Sequence, residues 1–96
     1  MQKGFVYILE SRKNGMYYIG ASENPKRRLR QHNDDTVSAT RKKGPWELRF
    51  FQEYASLREA KIIEYKLKKL KRRDYLEDII KSGKIRMQIS GCSAVG

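Results

Sequence analysis

Phe5-Val6-Tyr7-Ile8-Leu9, a polar turn around Asn14-Gly15, and Tyr17-Tyr18-Ile19-Gly20 are the stretch on which the fold depends. Asn-Gly between two aromatic and β-branched runs signals a β-hairpin, because both residues tolerate the positive φ of tight turns. Side chains alternate along a strand, so Phe5, Tyr7 and Leu9 share one side, while Tyr17 and Ile19 oppose Tyr18. Phenol hydroxyls from both strands can therefore meet on one sheet face. Aromatic residues also pair across strands for packing alone, and this feature does not separate the two readings.

Two strands are marginal in water, and a third is expected at Trp46 to Tyr54, where Trp46, Leu48 and Phe50 alternate with Glu47, Arg49 and Phe51. Between the hairpin and that strand, Asn24-Pro25 reads as a helix start. The helix carries Lys26, Arg27, Arg28, Leu29, Arg30, Gln31 and His32, with Leu29 inward and Asn33 as a left-handed terminator. Arg28 and His32 share a helix face. Solvated surface is the default for a lone histidine near a basic helix end. Asp34 to Pro45, with Arg41, Lys42 and Lys43, reads as an exposed basic loop, either solvated linker or phosphate contact.

Ser56-Leu57-Arg58-Glu59 is a capping box opening a second helix. Ala60, Ile63, Leu67 and Leu70 form its buried stripe, and Lys61, Lys66, Lys68, Lys69 and Lys71 cover the rest. Glu64 lies beside the stripe; as a surface acid it would pair with Lys68 at i+4. Asp74-Tyr75-Leu76-Glu77 predicts a further capped helix, with Leu76, Ile79 and Ile80 inward and Ser82-Gly83 ending it. Residues 1–83 are thus expected to form one domain, and 84–96 a partly disordered tail.

The 96 residues hold 22 Lys and Arg against 11 Asp and Glu, a formal charge of +11 that points to a polyanionic partner, nucleic acid first. No run approaches membrane-spanning length and no secretory or transit leader is legible, so a cytoplasmic location without a membrane partner is expected. Cys92 is the one cysteine and His32 the one histidine, which excludes an internal disulfide, a thiol cluster and an ordinary zinc site.

Neither a Gly-rich phosphate loop followed by Lys-Ser/Thr nor a Gly-x-Ser-x-Gly elbow is present. The acids are scattered, against the clustered carboxylates of a two-metal nuclease. One carboxylate, arginines, tyrosines and a histidine remain, in principle enough to hydrolyse a phosphodiester. A lone carboxylate can hold a hydrated Mg²⁺, arginine stabilises transition-state charge, and a base must take the proton of the attacking water. Tyrosine is a weak base at its reference pKa near 10.

Phe5-Val6-Tyr7, Tyr18-Ile19-Gly20, Arg28 eight residues on, then His32 and a Glu64 in a later capped helix resemble the GIY-YIG nuclease family. The likeness runs from about Val6 to Leu70 and is greatest for small standalone bacterial members, which are similar to the N-terminal nuclease domain of the bacterial excision-repair endonuclease. It implies an α/β fold with a central three-stranded antiparallel sheet flanked by helices, and Mg²⁺- or Mn²⁺-dependent endonucleolytic cleavage of DNA in repair or processing. Tyr7 would be the general base or its relay, Tyr18 a second phenol and Arg28 the phosphate clamp. His32 would polarise a tyrosine or touch phosphate, and Glu64 would be the metal ligand. Gly20 would be a close-approach position, and with Arg27, Arg41, Lys42, Lys43, Lys68 and Lys69 it makes the expected nucleic-acid-binding set. Phe5 and Val6 stand where the family name has Gly and Ile. The asparagine that many members carry after the glutamate has no counterpart, which leaves Lys68, Lys69 or Arg73 to place the leaving phosphate. The alternative is a non-catalytic nucleic-acid-binding module with the same fold, whose log affinity would fall by roughly 0.9 per phosphate contact per decade of salt. A small adaptor within a larger repair assembly is a third reading.

Overall fold

β1 (Gly4–Ser11) is the central strand of a three-stranded antiparallel sheet of order β2-β1-β3, with β2 (Tyr17–Ser22) and β3 (Trp46–Tyr54) on its flanks. This computed structural model describes residues 3–34, 44–70 and 72–85. Arg41, Lys42, Lys43, Lys71 and residues 86–96, with the readings attached to them, lie outside the described residues. The helices are α1 (Pro25–Asn33), α2 (Leu57–Leu70) and α3 (Arg73–Ser82).

A central strand is covered on both faces, which is why β1 is apolar nearly throughout rather than alternating. Val6 and Ile8 point into the larger core with Ile19, Phe50, Ala60, Ile63, Leu67, Leu76 and Ile79, under α2 and α3. Tyr7 and Leu9 point the other way, with Trp46, Leu29 and Leu48, under α1. The site lies on this second face.

The hairpin forms, but its turn is longer than a two-residue Asn-Gly turn. Ser11 still bonds Met16 through its backbone N–H, its Oγ accepts from the Lys13 and Asn14 amides, and Gly15 alone takes positive φ (75°). The side chain of Ser11 thus organises the loop.

A bulge interrupts β3. Leu9 pairs with Leu48 and Ile8 with Phe50, leaving Arg49 without a register partner on β1. An extra residue reverses side-chain alternation. Trp46 and Leu48 therefore face α1 while Phe50 joins the opposite core, correcting the expectation that all three share one face.

Asn24 caps α1 by accepting from the Arg27 amide at 3.1 Å, with Pro25 in the first turn. Asn33 is not a left-handed terminator: Asp34 at φ −86° closes the helix, and the Asn33 side chain is occupied elsewhere. It accepts from Trp46 N (2.6 Å) and donates to Trp46 O (3.1 Å), fastening α1 to the start of β3.

Ser56 Oγ caps α2 at the Glu59 amide (3.2 Å). Ala60, Ile63 and Leu67 are buried, but Leu70 is 42% exposed, because the chain leaves the sheet there and turns into α3. That helix begins one residue before the expected cap. Arg72 is the N-cap, without a side-chain bond, and Asp74 sits in the first turn, paired with Arg72 at 2.7 Å. Gly83 ends α3 in the left-handed conformation (φ 77°). Beyond Gly83, Ile85 is buried and held by Gln52 of β3, whose Oε1 accepts from its amide at 2.8 Å.

Candidate active site

Antiparallel pairing sets Tyr7 opposite Gly20, and the phenol lies flat over that glycine. A Cβ at position 20 would overlap the Tyr7 hydroxyl and ring. The close approach that requires glycine is thus internal, and Gly20 is buried rather than offered to a nucleic acid.

From its bed on Gly20, the Tyr7 hydroxyl reaches His32 Nε2 at 3.1 Å. His32 lies in the last turn of α1 and is 0% exposed, against the expectation of a solvated histidine. Tyr18 explains part of that burial, its ring centroid standing 4.8 Å from the imidazole and 6.2 Å from the Trp46 ring.

Arg28, one helical turn before His32, lies near enough for its charge to act on the Tyr7 phenol, and it donates to Gln31 Oε1 at 2.7 Å. Burial, then the Arg28 charge, lowers His32 from 6.5 to about 4, so the imidazole is neutral and able to accept at Nε2. Burial also raises Tyr7, with the charges of Tyr18 and Glu64 adding to it and Arg28 opposing. At neutral pH the pair is therefore a neutral phenol against a neutral imidazole, and in the tautomer protonated at Nδ1 the phenol donates to Nε2.

Glu64 enters from α2, near enough for its carboxylate to act electrostatically on Tyr7, with its side chain 20% exposed. Lys68, one turn later, approaches Glu64 Oε2 at 2.8 Å and stands 5.4 Å from the Tyr18 ring centroid. Glu64 pairs with Lys68, as a surface acid at this spacing would, while its charge also acts on the Tyr7 phenol. Among the described residues no three acids, histidines or cysteines cluster as a metal cage. The donor set suits a hard, largely hydrated divalent ion on one carboxylate.

Tyr7, Tyr18, Arg28, His32 and Glu64 thus come together. Arg27 lies beside them, lining a groove of about 380 Å³ with Asn24, Arg28, Gln31 and Lys61. On the other flank, Met16, Tyr17, Tyr18, Lys68, Arg72 and Arg73 line a groove of about 390 Å³. Arg73 stacks on Tyr17 at 4.5 Å there and pairs with Glu77 at 3.1 Å. Lys69 instead stands over Tyr65, at 5.9 Å from its ring, on the outer surface of α2. Gln31 and Asn33 build the site without standing out in the sequence. The i+3 spacing of Gln31 from Arg28 is the available signal, whereas nothing local marks the grip of Asn33 on Trp46.

A phenol, an imidazole, a guanidinium and a carboxylate converging on a basic surface define the class: a small α/β domain equipped for phosphodiester chemistry. Residues 3–77 match the GIY-YIG catalytic domain, and the chain belongs to the GIY-YIG family. It is 35% identical over 74 residues to a UPF0213 protein of Clostridium perfringens, covering 76% of this chain and 78% of that one. A UPF0213 protein of Streptococcus pneumoniae is 41% identical over 71 residues, 73% of this chain and 71% of the relative. A structure-specific endonuclease subunit SLX1 homolog of Drosophila mojavensis is 44% identical over 59 residues, 49% of this chain but 20% of that longer protein. The solution structure of a UPF0213 protein from Bacillus halodurans superposes with a TM-score of 0.52 at 29% identity, covering 97% of this chain and 99% of that one. Among the described residues no helix is long and apolar enough to cross a membrane.

Proposed function

We propose that this protein is a cytoplasmic, divalent-metal-dependent endonuclease that hydrolyses DNA phosphodiester bonds in repair or processing. The supporting observation is the convergence of the Tyr7 and His32 pair with Arg28, Tyr18 and Glu64 in one site of a GIY-YIG catalytic domain. The name of the SLX1 relatives as structure-specific endonuclease subunits favours a substrate chosen by its structure, and a larger assembly as partner.

In this reading Arg28 binds a non-bridging oxygen of the scissile phosphate with a charge-assisted hydrogen bond. Water attacks phosphorus while passing its proton to the Tyr7 oxygen, and the phenol proton moves to His32 Nε2. The water oxygen forms the new P–O bond as the bond to the leaving sugar oxygen breaks. Because the Arg28 charge helps hold His32 low, a phosphate that neutralises it raises imidazole basicity once substrate is seated. Mg²⁺ or Mn²⁺ on Glu64 would supply charge neutralisation at the phosphate and the leaving oxygen. Tyr18 packs on His32 and holds the ring toward Tyr7.

The test is nicking of supercoiled plasmid in Mn²⁺ by wild type and Glu64→Ala. The variant should lose at least roughly 100-fold in rate, a typical size for removing transition-state stabilisation of this kind, while keeping DNA affinity within about threefold. Unchanged nicking would reject the site. No cleavage by the wild type with any divalent ion, together with salt-sensitive binding, would favour the non-catalytic module instead.

A further inference from the structure

The Lys68 ammonium on α2 is held by two partners at the site, the Glu64 carboxylate at 2.8 Å and the Tyr18 ring at 5.4 Å. Other α2 cations serve elsewhere: Lys69 stands over Tyr65 and Lys61 borders the Arg28 groove. The order Glu then Lys at i+4 is the favourable one along a helix, and the Tyr18 ring adds a cation–π attraction to the ammonium. Glu64 is mostly covered, with its side chain 20% exposed.

We propose that Lys68 is a resident counter-cation of the active site, which a divalent ion must displace from Glu64 before the site can work. This rests on Glu64 being the metal ligand. A divalent ion and an ammonium cannot both sit against one carboxylate without strong repulsion at separations near about 4 Å, and partial burial weakens its screening by water. The lysine holds the carboxylate in place in the metal-free protein, and it raises the ion concentration needed for loading. Once displaced, its stem leaves the ammonium beside the Tyr18 ring, at the mouth of the groove shared with Arg72 and Arg73. Lys68 is thus a positioning residue for Glu64, a role distinct from general attraction of DNA.

The experiment is a Mn²⁺ titration followed by paramagnetic broadening of backbone amide signals around residue 64, a readout that registers weak binding without catalysis. Wild type, Lys68→Met, Lys68→Arg and Glu64→Gln are compared, with the Mn²⁺ requirement of plasmid nicking measured in parallel. Half-maximal broadening should come at about five- to tenfold lower Mn²⁺ in Lys68→Met, the scale expected from removing one nearby charge at a partly exposed site. Lys68→Arg should behave as wild type, and Glu64→Gln should lose the site-specific broadening. Equal titrations of wild type and Lys68→Met, with Glu64→Gln blank, overturn the displacement while leaving Glu64 as ligand. Broadening retained in Glu64→Gln overturns both.

Discussion

Gly20 and Tyr7 form a unit in which the smallest residue permits a bulky phenol to lie flat on the sheet. Gly20→Ala should cost about 1–3 kcal/mol in urea denaturation, the usual range for overpacking a filled core, and depress nicking because the phenol must move away from His32. Retained stability and activity would show that the ring can yield without consequence. His32 leads to a pH prediction. Its pKa is lowered from 6.5 to about 4 by burial and Arg28, so between these values the unfolded chain binds more protons than the folded one. Stability is fully present above pH 6.5 and falls toward pH 4, by on the order of 3 kcal/mol for a shift of this size. Urea midpoints across that window should fall in wild type and change less in His32→Gln; parallel curves would place the buried proton-sensitive group elsewhere.

The elements show what the amino-acid pattern can and cannot reveal. Caps made by neighbours in sequence are legible, as at Asn24-Pro25 and Ser56 to Glu59, because both partners lie within one turn. So are the three strands, and the Tyr7, Tyr18, Arg28 and Glu64 set that the resemblance implies is brought into one neighbourhood by the fold. The β3 bulge is not, since the extra residue at Arg49 matters only relative to its pairing with β1. Burial of His32 is equally hidden, because Tyr18, itself packed edge-on against Trp46, covers it from another element. Asn33 shows the same dependence: its amide engages both polar groups of the Trp46 backbone and holds α1, with Arg28 and His32, against the sheet. Asn33→Ala removes two hydrogen bonds and should cost about 1–2 kcal/mol in denaturation experiments, with a loss of nicking larger than its loss of DNA binding. A variant that unfolds and nicks as wild type would mean α1 is held by its apolar contacts alone.

For the whole molecule, a charge of +11 surrounds a site that contains a single committed carboxylate, and basic grooves lie on both flanks of it. Under the proposed function, attraction of DNA is spread over many residues, while chemistry depends on a few at the junction of β1, β2, α1 and α2. Binding and cleavage should accordingly be separable. The most direct test compares wild type, Tyr7→Phe and Glu64→Ala on labelled single-stranded, nicked, flapped and branched DNAs with Mg²⁺ or Mn²⁺, scoring cleavage and affinity together. The account predicts that wild type cuts at least one of these structures, and that both variants bind it with similar, salt-sensitive affinity but fail to cut it. Cleavage by Tyr7→Phe and Glu64→Ala at the wild-type rate, or no cleavage of any of these DNAs by the wild type, would contradict it.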